Sequence, residues 1–451
     1  MASAHLGWFG IIRVGLVQAA LGGIVVLTTS TINRLMIVEL ALPALVPGLL
    51  VTWHYALQIL RPRWGHGSDQ GARRTPWIIG GMAILALGGA LASLSVGLTA
   101  SSAIIGLGVA FIAFTLIGIG VGAAGTSLLI FLASHVEREK RAAAATIVWI
   151  MMIVGFILTS AFVGHFLDPF TPMRLVSLAS TICVIAFLIS LIALYRLEPQ
   201  QKLKTVAEST EGAAKPKFRE AFSHVWRMAE ARRFAIFVFI SMLAYSAQDL
   251  ILEPFAALRF GLTPGQTASL SGMQNGGVLM GMILVGVLAT LFNRNRFMEL
   301  RNWVMLGCFG SSLALIGLVV AARMGPPWPI SASVFALGFA NGVYAVAAIG
   351  SMFSSARAEG TEHEGLRMGL FGAAQAVAFG LGGVAGTGLS DFFRIFMDAP
   401  EIAYASVFAI EALLFVIAAW LATSIGRHAA HSENQNPLVL AAGHEIGVEG
   451  R

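Results

Sequence analysis

The chain has 451 residues, of which 57% are hydrophobic and only 12% charged, and its mean hydropathy is +0.80. No water-soluble packing hides that proportion of apolar side chain, so a lipid bilayer must be the solvent. The formal charge of +6 does not indicate nucleic acid, because the basic residues are spread over short segments between apolar runs.

A helix needs about 20 apolar residues to cross the hydrocarbon, where no water is available to satisfy backbone polar groups. Twelve such runs occur, near 9–33, 36–60, 76–97, 102–133, 143–166, 174–195, 234–258, 267–292, 302–322, 329–354, 367–389 and 403–425. The first lacks a small-residue cleavage site and reads as a span, not a removable signal. The expected fold is an all-α polytopic membrane protein of 12 transmembrane helices in two six-helix halves. Residues 1–196 form the first half and 233–425 the second, with a cytoplasmic linker at 197–232 and a cytoplasmic tail at 426–451. Within the linker, Phe218, Ala221, Phe222, Val225 and Trp226 recur at helical spacing beside Lys217, Arg219 and Arg227. That pattern suits either an interfacial helix on an anionic leaflet or a short helix packed under the halves. Gly118 and Gly122 in the fourth span recur as Gly338 and Gly342 in the tenth, an offset of 220 that supports two parallel repeats.

Basic residues set the orientation. With both termini in the cytoplasm, the inside segments hold 23 of the 29 Lys and Arg, and only Arg34, Arg174, Arg259, Arg323 and Arg394 lie outside. Arg13, in the first span, can snorkel to the cytoplasmic edge.

Ionisable groups within spans are costly and therefore informative. At the outer end of the first span stand Asn33, Arg34 and Glu39. In the second span, His54 is the one histidine well inside the membrane; a neutral imidazole there can ligate the Mg of a chlorin or simply donate a hydrogen bond within the bundle. In the seventh span, Tyr245, Asp249 and Glu253 recur at i, i+4 and i+8 on one helix face, next to Gln248. Under the repeat offset, Arg34 corresponds to a position beside Glu253, so an outer polar cluster is expected in which Arg34 counters an acid. It is either a ligand site or a structural clamp between halves. Glu411 lies mid-span with no neighbour evident in sequence. Cys183 and Cys308 each sit alone in an apolar run, which excludes a CxxC metal or redox pair.

The loop RPRWGHGSDQGARRTPW after the second span resembles the signature loop of the major facilitator superfamily through Gly65, Asp69, Arg73 and Arg74, with Ala72 where a second Gly is usual. In that superfamily the loop helps gate the cytoplasmic side, and the resemblance implies a pairing of Asp69 with an Arg or a helix end. Three stretches, INRLMIVELALPA at 32–44, GSDQGARRTPWIIGG at 67–81 and SAQDLILEPFAAL at 246–258, resemble the PucC/LhaA bacteriochlorophyll-delivery family within that superfamily. The chain looks closest to the branch labelled a chain of bacteriochlorophyll synthase. This resemblance implies an inner (intracytoplasmic) bacterial membrane, bacteriochlorophyll or a precursor as bound ligand, and antenna apoproteins and bacteriochlorophyll synthase as partners.

Prenyl transfer would need Asp-rich motifs that hold Mg and a diphosphate. The chain has five Asp, at 69, 168, 249, 391 and 398, and no two fall within five residues of one another. A non-enzymatic role beside the true synthase is expected, with no catalytic residue, no resident metal and no nucleotide-binding loop. Two further readings stand beside the pigment carrier: a secondary transporter of a small solute coupled to protons through Asp249 or Glu253, and a pigment-free scaffold for antenna assembly.

Overall fold

The computed structural model describes residues 6–58, 73–137, 140–198, 227–291, 300–357, 364–397 and 399–423. Among them twelve helices follow one another: α1 (Trp8–Val38), α2 (Leu45–Leu57), α3 (Thr75–Ser101), α4 (Ala103–His135), α5 (Arg141–Phe166), α6 (Pro172–Leu194), α7 (Ala229–Phe260), α8 (Pro264–Leu291), α9 (Leu300–Met324), α10 (Ile330–Arg357), α11 (Glu364–Phe396) and α12 (Pro400–Thr423). Eleven are long and apolar enough to cross a membrane. The exception, α2, corrects where the expected second span begins. Residues 36–38 finish α1, 39–44 form a turn, and α2 has only 13 residues before the described segment ends at Gln58. The apolar run MIVELALPA hides this break. Pro43 cannot donate to a helical ladder, and Ala41 adopts φ 51°, a conformation that stops a helix.

Inside α1, residues Leu27–Ile32 wind as a π-helix. Their sequence, LTTSTI, supplies a cause: the Thr28 and Thr29 hydroxyls donate back to the carbonyls of Ile24 and Val25, competing with the backbone ladder at that turn.

The helices pack in a pattern that recurs six elements later. α1 packs on α5 and α6, and α7 on α11 and α12; α3 packs on α4 and α6, and α9 on α10 and α12. Each set encloses its own core, the first around Ile24, Phe114 and Phe131 and the second around Phe237, Tyr344 and Phe408. Two seams join the sets, α5 with α8 and α2 with α11. Since lipid is as apolar as these side chains, close backbone approach must supply much of the cohesion. A Cβ on Gly118 of α4 would stand 2.8 Å from the His54 carbonyl of α2, and one on Gly338 of α10 would stand 2.0 Å from the Gln274 carbonyl of α8. These contacts are equivalent under the repeat. Cys183 and Cys308 are both buried thiols.

Below, the end of the bundle carrying Trp8 and Thr423 is called the terminal face, and the end carrying the α1–α2 turn the distal face. The expected interfacial helix at 218–226, and Gly65, Asp69 and Asp398, lie outside the described residues.

Candidate functional site

At the distal face the end of α1 meets α7 and α8. The π-helical turn places the Ser30 hydroxyl against Glu253 Oε1 of α7, and 3.3 Å from the Ser271 hydroxyl of α8. Thr267 and Ser271 lie against the same carboxylate, which is buried. One turn further, Asn33 Nδ2 donates to the Leu250 carbonyl at 2.8 Å, closing the gap between α1 and α7.

Of the acids in the expected cluster, Arg34 lies against Glu39. Its guanidinium, 2% exposed, forms its ion pair with Glu39 Oε1 at 2.6 Å and donates to the Leu262 carbonyl at 3.1 Å, while Glu253 feels it only through space. The α1–α2 turn brings Glu39 back over Arg34, a local geometry that a continuous second span would have forbidden. Leu262 is presented by the α7–α8 turn, where Gly261 ends α7 at φ +67°, a conformation that suits a residue without a side chain.

Two further ties cross the halves here. Asp168, after α5, accepts from the Thr263 hydroxyl and, at 3.0 Å, from the Gly265 amide. Asp391 of α11 accepts from the Leu45 amide at 2.8 Å, capping the first turn of α2.

Deeper in the bundle, Tyr245 and Asp249 are half-buried, in contrast to the buried Glu253 two turns along the same helix. Tyr245 lies within electrostatic reach of Asp249 and of Tyr55 on α2. Phe379 of α11 joins them, its ring centroid 5.7 Å from that of Tyr55 and 5.9 Å from that of Tyr245. Asp249 makes no hydrogen bond or ion pair with any described residue. The carboxylate nearest it electrostatically is Glu411 of α12, 1% exposed, neither of whose oxygens has a hydrogen-bond partner. Gln248, fully buried, likewise leaves both ends of its amide unpaired.

His54 takes the hydrogen-bonding alternative. Its imidazole is 1% exposed, with Nδ1 3.1 Å from the Val51 carbonyl and Nε2 3.1 Å from Gln58 Nε2, and it packs on Tyr55 at 4.3 Å.

At the terminal face, Arg73 is exposed and Arg74 is half-buried. Arg74 donates to the Ile130 carbonyl at 3.1 Å and to the Ser134 hydroxyl, completing the C-terminal end of α4. Glu198 accepts from the Arg74 amide at 2.8 Å and from the Thr75 amide and hydroxyl at 3.0 and 2.7 Å, so it caps α3. Burial opposes ionisation of Glu198, but these donors and the nearby His135 together hold its carboxyl below the usual range. Arg13 reaches the last carbonyls of α6 at Ala193 and Tyr195.

Sequence reasoning missed Ser30, Ser271, Tyr55 and Phe379. The LTTSTI run was a usable signal for the first, because four consecutive hydroxyl residues in a span seek partners. A single aromatic residue in an apolar helix carries no such mark.

Comparisons with known proteins agree with this architecture. The family model for PUCC protein matches residues 31–430. The Bacteriochlorophyll synthase 44.5 kDa chain of Rhodobacter capsulatus is 48% identical over 436 residues, covering 97% of this chain and 99% of the relative. Protein PucC of Cereibacter sphaeroides is 29% identical over 435 residues, covering 91% and 90%. Among solved structures, the D-xylose-proton symporter superposes with a TM-score of 0.68 at 15% identity, over 91% of this chain and 96% of that one. A bacterial homologue of the lysosomal transporter Spinster, in an inward-facing and unoccupied conformation, superposes at 0.65 and 15%, over 92% and 95%. The fold is therefore that of the major facilitator transporters.

Proposed function

This chain belongs to the PUCC protein family, and from that premise we propose that it handles bacteriochlorophyll or a late precursor during photosynthetic complex biogenesis. It delivers pigment to antenna apoproteins or serves the synthase as an accessory, and it does not itself perform prenyl transfer. One observation carries the reading: the relative with a bacteriochlorophyll name matches this chain almost end to end, so the likeness covers the whole bundle rather than one shared element. The transporter fold supports handling over synthesis. In this reading the distal face lies outside the cytoplasm and the terminal face within it, in an intracytoplasmic bacterial membrane.

The test is purification in mild detergent from a phototrophic bacterial host, followed by an absorption spectrum and pigment extraction. Near-stoichiometric bacteriochlorophyll or precursor is expected, with no prenylated product when the pure protein is given bacteriochlorophyllide and a prenyl diphosphate. Pigment-free protein would favour the scaffold reading, and product formation would overturn the non-enzymatic one.

The unpaired acids Asp249 and Glu411 keep a second reading in view, a proton-coupled carrier of a small solute. Pigment-independent acidification of vesicles on addition of solute would favour it.

A further inference from the structure

We propose that Asp249 supplies an oxygen ligand to the central Mg of a chlorin whose ring rests against Phe379, Tyr55 and Tyr245, beside the α2–α11 seam. This rests on the pigment-handling function proposed above and assigns it a site.

Electrostatics comes first. Asp249 and Glu411 are carboxylates within electrostatic reach of one another in the second half, and neither forms an ion pair or hydrogen bond with a described residue. A lone pair of acids in such a setting is expensive unless something electropositive answers it. Glu411 is sealed away, whereas Asp249 keeps accessible surface and has no protein partner. Its free oxygens can therefore reach an incoming ligand. Mg is a hard cation that prefers carboxylate and other oxygen donors, and a chlorin Mg has an axial position open to one.

Shape comes second. The rings of Tyr55 and Tyr245 flank Phe379, tilted to it by 44° and 59°, and all three residues are half-buried. They form an angled aromatic wall with surface left over, suited to a flat macrocycle far larger than any one of them. Tyr245 links the wall to the carboxylate, lying within electrostatic reach of both Asp249 and Tyr55.

The neighbouring seam comes third. Thr52 of α2 donates to the Gly380 carbonyl of α11 at 2.8 Å, and a Cβ on Gly380 would stand 3.8 Å from that of Tyr55, so α2 and α11 hold the wall in place. His54, the alternative Mg ligand, has both ring nitrogens occupied within the protein.

The experiment uses the full chain, purified in dodecyl maltoside and titrated separately with bacteriochlorophyll a and its Mg-free counterpart, bacteriopheophytin a. The shift of the red absorption band and quenching of tryptophan fluorescence report binding. Wild type is expected to prefer the Mg pigment by about tenfold or more, the scale on which metal-site substitutions act. Asp249→Ala should bind both pigments about equally, and the isosteric Asp249→Asn, which preserves packing if the alanine variant is misfolded, should show a reduced preference. Phe379→Ala should weaken both pigments alike, and His54→Gln should leave the preference intact. If folded Asp249 variants keep the wild-type preference, or if wild type binds both pigments equally, the ligand assignment falls while the pigment function stands. Binding of neither pigment by wild type would overturn both.

Discussion

Among the described residues, the two ends of the bundle show different patterns of polar contact. At the distal face Ser30, Asn33, Asp168 and Asp391 each make a polar contact from one six-helix set to the other, and Arg34 adds one to the Leu262 carbonyl beside its local ion pair with Glu39. At the terminal face Arg13, Arg74 and Glu198 bind within the first set, α1 to α6, α3 to α4 and α6 to α3. Arg74 therefore ties elements of one half, whereas inconspicuous hydroxyls and amides fasten the two halves together. A rocking motion between the halves would pivot on, or have to break, the distal contacts and would leave the terminal ones unchanged.

Arg34→Ala should have the largest effect. It strips the counter-charge from Glu39, leaves the Leu262 carbonyl without its donor and removes the cation nearest the buried Glu253. Removing one partner of a buried pair costs about 3 kcal/mol. A drop of many degrees in the thermal midpoint of the detergent-purified protein is expected, and an unchanged midpoint would refute the idea that this end is fastened. Asp168→Ala comes next. It loses the Thr263 and Gly265 donors at the edge of the bundle, at about 1–2 kcal/mol. Because the native cysteines are both buried, a cysteine introduced at Leu262 reports alone; Asp168→Ala should speed its reaction with a maleimide. Arg74→Ala should cost about 1 kcal/mol by freeing the end of α4, yet leave that labelling rate unchanged. Faster labelling there would abolish the distinction between the two ends.

How much of this was legible in the sequence depended on distance along the chain. Eleven spans could be read because each apolar run is long enough by itself, and runs of that length have no other solution in a membrane. The α1–α2 turn was not, since MIVELALPA is as apolar as a span and the Arg34–Glu39 pair that closes it becomes visible only once the chain bends. At the candidate site, the spacing of Tyr245, Asp249 and Glu253 pointed to α7, a local fact. Their partners Ser30, Tyr55, Phe379 and Glu411 lie on four other helices, and the π-turn that aims Ser30 shifts the register that simple periodicity assumes. Scarcity of charge was the better guide: Arg34 and Glu411, conspicuous as charges within apolar runs, both prove to be fully buried.

The smallest expected effect concerns Glu198, and its sign follows from linkage. The Arg74 and Thr75 amides, the Thr75 hydroxyl and His135 favour the carboxylate more than burial disfavours it, so the folded protein holds this group's pKa below its unfolded value. Its contribution is therefore fully present above the unfolded pKa of about 4.3 and disappears as pH falls through the folded value. Glu198→Gln can still accept one hydrogen bond but brings no negative charge to the N-terminus of α3, so near neutral pH it should be less stable than wild type. The loss should stay under about 1 kcal/mol, since the group is partly solvated and a helix cap is worth about that much. Between pH 5 and pH 3 the thermal midpoints of the two proteins should converge. A gap that persisted unchanged at pH 3 would mean that Glu198 holds α3 by shape alone, and that the cap owes nothing to charge.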